Sequence, residues 1–168
     1  MSVNGEMFEI YDDAGNRVGL APRRECHGNP ALIHRSVHIV VRHPDGRILL
    51  QKRSAAKDIQ PGKWDTAVGG HLNPGETWEA AARRELGEEL GVKAPPALKH
   101  LFDMKVRNEV ESEDIRTFAM VYEGTFSLQR EEVDEVRYWT LGELADPAVQ
   151  EQLTPLLRRE LEMIRELN

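Results

Sequence analysis

The segment at residues 77–90 constrains the fold most, because its pattern is helical while the segments on both sides of it look like strands. Thr77 is a suitable N-cap, and Gly91 is a suitable residue to end the helix. An apolar residue recurs every fourth position, which gives the helix one core-facing stripe: Trp78, Ala82, Leu86 and Leu90. The pattern predicts a capped helix that packs by one face.

The rest of the chain favours strands and one further helix. Turn signals separate strand-like runs at 9–11 and 17–20, and again at 37–41 and 47–53, so each pair reads as a hairpin. Further strands are expected near 66–69, 98–106, 115–123 and 135–140. Residues 152–167 are amphipathic and predict a helix that docks on the sheet, with a partner-binding helix as the less favoured alternative. Strands interleaved with two helices predict a mixed α/β sandwich.

Composition narrows the functional classes. The 168 residues suit one domain over 1–168, with an N-terminal strand hairpin in 1–30 and a C-terminal helix in 150–168. A net charge of −7 argues against duplex nucleic acid as a partner. Cys26 is the single cysteine, which excludes an internal disulfide and a cysteine-based zinc site. No apolar run is long enough for a membrane span, and residues 1–10 do not resemble a signal peptide, so we expect a soluble cytoplasmic protein.

Three glutamates share one face of the predicted helix. Glu85, Glu88 and Glu89 fall within about 100° of arc when each residue advances the helix by about 100°. Like charges at this spacing destabilise a helix, and Arg84 alone cannot neutralise three of them. A hard divalent cation can, because Mg²⁺ prefers oxygen ligands and bridges carboxylates to substrate phosphates. The alternative is a solvated acidic face without a metal.

These residues resemble the signature of the Nudix family. The match runs through nine specified positions in 23 residues: Gly70, Glu76, Arg84, Glu85, Leu86, Glu88, Glu89, Gly91 and Val92. The resemblance implies an α/β/α sandwich with a mixed sheet and hydrolysis of a diphosphate linkage, in a nucleoside diphosphate derivative or a related small molecule. It also implies Mg²⁺ or Mn²⁺ held by Glu85, Glu88, Glu89 and the Gly70 carbonyl, with Arg84 orienting the acids and Glu76 fixing the loop.

A second, narrower resemblance is to the type 1 isopentenyl-diphosphate isomerases, which share that fold. It implies that Arg53, Lys57 and Trp64 contact the substrate. It also implies a second metal site, made of His27, His34, His71, Glu111 and Glu113. Gly69 stands where those isomerases have their catalytic cysteine, and the complete Nudix signature is unlike theirs. We therefore favour a hydrolase over an isomerase, and a non-enzymatic binding module is the third hypothesis.

Several assignments stay open at this stage. The five histidines and glutamates are either a metal site or residues inherited with the fold, and Arg53 and Lys57 either bind phosphate or lie solvated on the surface. Glu132 and Glu135 are weak candidates for an additional catalytic base. Trp64 and Phe118 either line a pocket or pack in the core. Catalysis by Cys26 is not expected.

Overall fold

The structure is a computed structural model, and it describes residues 5–167. Residues 1–4 and Asn168, which belong to the predicted domain and its two terminal segments, lie outside the described residues. The elements in chain order are β1 (Met7–Tyr11), β2 (Arg17–Pro22), α1 (Arg23–Cys26), β3 (Ile33–Arg42), β4 (Ile48–Arg53), β5 (Trp64–Thr66), β6 (Val68–His71), α2 (Trp78–Leu90), β7 (Lys99–Arg107), β8 (Ser112–Val121), β9 (Val133–Trp139), α3 (Leu141–Leu144), α4 (Pro147–Gln150) and α5 (Pro155–Leu167).

Strand β3 lies at the centre of a mixed sheet. It pairs in parallel with β8 along its whole length, from Ile33 opposite Ser112 to Arg42 opposite Val121. It pairs antiparallel with β1, β4 and β6, and the predicted hairpins β1–β2 and β3–β4 are both confirmed. Strands β5 and β9 pair with β4, while β7 pairs with β8. The expected mixed sheet is thus confirmed.

Helices cover both faces of this sheet. Alternate residues of β3 point to opposite faces, as strand geometry requires. One face packs on α2 to form the α2-face cluster, which includes Val37, Ile39, Val41, Ala82, Leu86 and Leu90. The other packs on α5 to form the α5-face cluster, which includes Val40, Leu50, Leu153, Leu157, Leu161 and Ile164. The layers are therefore α/β/α, with a core on each side of β3.

Local capping sets the ends of both long helices. The Thr77 side chain accepts a hydrogen bond from the Ala80 amide at 3.1 Å, and Gly91 ends α2 with a φ of 70°, which favours glycine. Helix α5 begins at residue 155 rather than 152, because Pro155 occupies its first turn and the Thr154 hydroxyl accepts from the Leu157 amide at 3.1 Å. Its apolar stripe is buried, so the docking interpretation is confirmed.

The prediction of two helices was incomplete. Helices α1, α3 and α4 span four residues each, which is too short to show an apolar period. Thr140 and Glu143 form a capping box at the start of α3, and Asp146 caps α4. In the described range 5–167, no helix is long and apolar enough to cross a membrane.

Candidate active site and metal centre

A cavity of about 710 Å³ opens between α2, the central strands and the start of α5. Residues that the sequence singled out for three different roles line it together: Arg53, Lys57, His71, Glu85, Glu89 and Glu113. The carboxylates of α2, the expected phosphate-binding cations and part of the histidine group therefore face one volume. This arrangement suits one substrate that contacts all three groups.

The three glutamates of α2 are not equivalent. Glu89 is buried, the Glu85 side chain is 14% exposed, and the Glu88 side chain is 51% exposed. Gln51 of β4 donates to Oε1 of Glu89 at 2.9 Å, and this contact fixes the deepest carboxylate. Glu85 and Glu89 thus form the buried part of the acidic face, with Glu88 at its rim.

Burial makes the ionised form of these two acids unfavourable. Burial raises the pKa of Glu85 above its ordinary value. The pKa of Glu89 is raised well above its ordinary value, first by burial and then by the neighbouring Glu85 carboxylate. A pair of buried carboxylates that repel each other fits a divalent cation, which would supply the missing positive charge and oxygen coordination.

Gly70 brings the backbone of β6 against this pair. A Cβ atom at Gly70 would overlap the Glu85 carboxylate, so only glycine leaves the side chain its present position. Strand β6 pairs with β3 through Gly70 opposite Val37, which holds the backbone there. The close approach fits a site in which a main-chain oxygen of β6 and the α2 carboxylates share one ion.

Arg84 ties the acids to the preceding loop. Its guanidinium donates to both carboxylate oxygens of Glu76 at 2.8 and 2.9 Å, to Glu85 at 2.8 Å and to the His71 carbonyl at 2.9 Å. Glu76 also accepts from the Asn73 amide at 2.7 Å. Burial alone would raise the pKa of Glu76, but Arg84 and this amide lower it. Arg84 is therefore a fixed clamp between the loop and α2.

Arg53 and Lys57 reach the cavity, but each already has a protein partner. Arg53 donates to the Ile59 carbonyl at 2.9 Å and lies 3.4 Å from Asp65. Lys57 forms an ion pair with Glu132, which also lines the cavity. A phosphate group would compete with these carboxylates for the two cations. The second base candidate, Glu135, lies exposed on β9 and does not line the cavity.

Three other residues lie away from the cavity. Trp64, expected to bind substrate, is buried in the α5-face cluster, where its ring meets Trp139 edge-on at 5.2 Å. Its place in strand β5 directs the indole into the core. Phe118 packs in the α2-face cluster. Cys26 is buried, and burial raises the pKa of its thiol to about 11, so it is a poor nucleophile.

The expected second metal site is assembled from three parts of the fold. We call it the His/Glu cluster: His27, His34, His71, Glu111 and Glu113. Nε2 of His34 lies 3.1 Å from Glu113 and 3.8 Å from Glu111, and Nε2 of His71 lies 3.6 Å from Glu113. Ser36 donates to the second oxygen of Glu113. The cluster contains two groups of three residues whose candidate ligand atoms lie within 4.8 Å of one another. The first group is the three histidines, and the second is His34 with Glu111 and Glu113.

The ionisation of the His/Glu cluster suits a metal. Burial, reinforced by His71, lowers the pKa of His27 to about 4, and burial also lowers the pKa of His71, so both rings are neutral at neutral pH. Burial alone would raise the pKa of Glu113, but hydrogen bonds with His34 and His71 lower it well below its ordinary value. Nε2 of His27 and Oε2 of Glu111 lie 3.4 Å apart, and both are buried without a hydrogen bond to any of the described residues. Buried nitrogen and oxygen atoms that make no hydrogen bond are suited to serve as ligands of a metal ion.

Sequence reasoning missed several cavity residues. Gln51 is a polar residue that directly follows the apolar residues 48–50 of strand β4, a signal that could have marked it. His38 similarly interrupts the β-branched run at 37–41. Arg23 lies within 3.5 Å of both Glu6 and His71. These contacts join residues that are far apart in the chain, so no local motif predicts them.

This chain is similar to known proteins in both sequence and fold. The NUDIX domain family model matches residues 32–159. A Nudix hydrolase from Yersinia pestis is 37% identical over 135 residues, covering 78% of this chain and 71% of that protein. An isopentenyl-diphosphate Delta-isomerase from Streptomyces avermitilis is 31% identical over 146 residues, covering 83% and 74%. The crystal structure of DR0079 from Deinococcus radiodurans has a TM-score of 0.75 at 24% identity, covering 92% and 98%.

Proposed function

Because this chain belongs to the Nudix hydrolase family, whose members act on pyrophosphate bonds, we propose that it is a divalent-metal-dependent hydrolase of a nucleoside diphosphate derivative or a related diphosphate. The observation that carries this proposal is the buried pair Glu85–Glu89 beside Gly70, at the wall of the cavity. An acidic chain needs positive charge to bind a diphosphate, and this pair is the place where a cation is most strongly favoured.

The acidic residues of α2 and Arg84 then have distinct roles in the reaction. Glu85, Glu88, Glu89 and the Gly70 carbonyl would hold Mg²⁺ or Mn²⁺, which when bound neutralises phosphoryl charge and lowers the pKa of water. Arg84 holds Glu85 in place through its contacts with the loop. Glu89, which Gln51 fixes at the cavity wall, would take the proton of the attacking water while the water oxygen bonds to phosphorus. The bond from phosphorus to the leaving phosphate oxygen then breaks.

Arg53 and Lys57 would bind the diphosphate. Arginine can contact two phosphate oxygens at once, and lysine adds a flexible positive charge. Their present partners, Asp65 and Glu132, are carboxylates at the cavity wall, so each cation can pass from a protein anion to a phosphate without losing all its pairing. Glu132 would be released in that exchange, which keeps it as an alternative base.

The His/Glu cluster would bind a second metal ion. Two of its histidines are neutral at neutral pH, and buried ligand atoms are left without hydrogen-bond partners among residues 5–167. Imidazole with carboxylate suits first-row ions such as Mn²⁺ more than Mg²⁺. We propose that this ion organises the part of the cavity wall that His27, His71, Glu111 and Glu113 form.

We further propose one domain in the cytoplasm, with a small-molecule diphosphate rather than a nucleic acid as partner. The net charge of −7 argues against a nucleic-acid partner, and the continuous sheet supports one domain.

A substrate panel tests the hydrolase. Nucleotide sugars, dinucleotides, nucleoside triphosphates and prenyl diphosphates would be incubated with Mg²⁺ and the release of phosphate or monophosphate measured. Glu85→Gln and Glu89→Gln should each reduce turnover of the best substrate at least about 100-fold, as removal of a metal ligand or base does. The control Glu79→Gln changes an exposed acid of α2 that pairs with Arg83. Unchanged turnover in both cavity variants would refute the assignment.

An isomerase is the second candidate, favoured by the complete His/Glu cluster and by the Streptomyces relative. Gly69 opposes it, because glycine has no proton donor. An isomerase would incorporate solvent deuterium into the allylic product, and absence of exchange with Mg²⁺ or Mn²⁺ would exclude it. A binding module without turnover is opposed by the complete set of acidic residues on α2.

A further inference from the structure

A buried ion pair lies at the cavity wall, on the α5 face of the sheet. Nδ1 of His38 on β3 is 2.7 Å from Oε2 of Glu160 on α5, and both residues are buried. Thr117 of β8 donates to the same carboxylate oxygen at 3.4 Å. The functional assignments above leave this pair unused. It is also separated by 122 residues in sequence, so the fold alone brings it together.

The other ring nitrogen of His38, Nε2, lies beside Gly69 at the cavity wall. His38 lines the cavity and lies opposite Gly69 in the pairing of β3 with β6. A Cβ atom at Gly69 would lie 3.4 Å from Cδ2 and 3.5 Å from Nε2 of His38. Because Gly69 has no side chain, nothing from that position covers the ring. Within the described part of the chain, Nε2 has no hydrogen-bond partner.

Glu160 keeps this ring protonated. Burial alone would lower the pKa of His38, but the Glu160 carboxylate outweighs it and the pKa rises to about 9. The imidazolium carries a proton on each nitrogen, so Nε2 is a donor at neutral pH. Glu160 accepts from Nδ1 and leaves the Nε2 proton directed away from the pair.

The surroundings at this end of the cavity are also polar. Asp65 and Thr154 line it and are joined by a hydrogen bond of 3.1 Å. Arg159, next to Glu160 on α5, lines it as well. A hydrocarbon placed here would displace water from these groups and leave the Nε2 donor unpaired. Sites built around a buried donor reject ligands that lack the matching acceptor.

We propose that His38 determines substrate specificity by donating a hydrogen bond from Nε2 to an oxygen in the organic part of the substrate. The cavity then takes diphosphates that carry an oxygen-rich group, such as ribose or another sugar, in preference to prenyl diphosphates. This inference rests on the proposed function, since it assumes that the diphosphate binds between Arg53, Lys57 and α2. Gly69 has a positive role in it, because its missing side chain exposes the donor.

Binding of two non-hydrolysable probes tests the inference without turnover. The methylene-bridged analogues of ADP-ribose and of isopentenyl diphosphate would be titrated by calorimetry in Mg²⁺. The wild-type protein should bind the ADP-ribose analogue more tightly. The double variant His38→Leu, Glu160→Leu removes both charges together, and the ratio of the two affinities should fall roughly 10- to 100-fold. His38→Gln keeps an N–H donor and should lose less.

The control is His100→Leu, which removes a histidine of a surface pair with Asp103 and should leave the ratio unchanged. An unchanged ratio in the folded double variant would overturn the inference. So would a wild-type preference for the isopentenyl analogue, or no binding of either probe. Failure to hydrolyse any diphosphate would instead refute the proposed function, and the affinity ratio would still decide the role of His38.

A spectroscopic measurement covers the case in which the double variant does not fold. In the wild-type protein labelled with ¹⁵N-histidine, the Nε2 resonance of His38 should shift when the ADP-ribose analogue is added and change much less with the isopentenyl analogue. A resonance that does not respond to the ADP-ribose analogue at saturation would overturn the inference. A role limited to holding α5 on the sheet predicts that result.

Discussion

Replacing Glu89 with glutamine is expected to stabilise the metal-free protein while abolishing its response to Mg²⁺. Glutamine has nearly the same shape, and its amide oxygen can still accept from Gln51. The substitution removes a buried charge that faces Glu85, and a poorly compensated buried charged group costs roughly 1–3 kcal/mol. Since 1 kcal/mol moves Tm by about 2–4 °C in a domain of this size, we expect a rise of roughly 2–12 °C at pH 8.

The stability that the metal-free protein gains from Glu89→Gln should increase with pH. The folded-state pKa values of Glu85 and Glu89 both lie above the ordinary value of 4.5, so the folded state binds more protons than the unfolded state. The stability contributed by these groups is therefore complete below about pH 4.5 and is lost as pH rises through the folded-state pKa values. Glu89→Gln removes the larger shift, so the stability difference between variant and wild type should increase from pH 5 to pH 8.5.

In Mg²⁺ the order of stability should reverse, so that the wild type is more stable than Glu89→Gln. A ligand at 1,000 times its Kd stabilises the folded state by about 4.1 kcal/mol, which exceeds the expected gain of the variant; the wild type gains this stabilisation and the variant largely loses it. Differential scanning calorimetry at three pH values, in EDTA and in Mg²⁺, measures both effects. The exposed control Glu79→Gln should change stability by no more than about 0.5 kcal/mol in either buffer. A metal-free Glu89→Gln protein less stable than wild type at pH 8, or one with the full Mg²⁺ response, would refute the reasoning.

Three other substitutions probe the remaining parts of the site. Gly70→Ala should abolish the thermal shift in Mg²⁺, because its methyl group would overlap Glu85; Gly87→Ala, whose new methyl group would come no closer than 3.8 Å to a neighbour, should leave that shift intact. Arg84→Lys loses the two-point contact with Glu76 and should lower kcat about 10- to 100-fold, measured under saturating Mg²⁺. His34→Gln should remove one class of sites from a Mn²⁺ titration and leave the Mg²⁺ thermal shift unchanged; loss of both responses would argue against two separate sites.

Helix α2 and its acidic face were predictable because the signals are local. Capping by Thr77, termination at Gly91 and an apolar residue every fourth position all lie within one segment. The helical spacing predicted that the three glutamates share one face, but it could not predict which of them are buried and which is exposed. The different exposure of Glu88 and Glu89 depends on β4 and β6, which reach α2 only through the fold.

The misjudged and missed residues depend on contacts between distant segments. The indole of Trp64 packs on Trp139, 75 positions away, and nothing near Trp64 in the sequence shows which face of β5 it occupies. His38 and Glu160 are further apart still. A polar residue inside an apolar strand, as at Gln51 and His38, is the one local sign that such positions face a site. Helices α1, α3 and α4 were not predicted, because four residues are too few to show a helical period.

The most direct test of the account is a crystal structure grown with Mn²⁺ and a non-hydrolysable diphosphate, with anomalous scattering used to locate the metal. The account predicts anomalous density coordinated by the carboxylates of Glu85 and Glu89, next to Gly70. Well-ordered side chains at those positions with no anomalous peak, at a Mn²⁺ concentration that supports turnover, would contradict it.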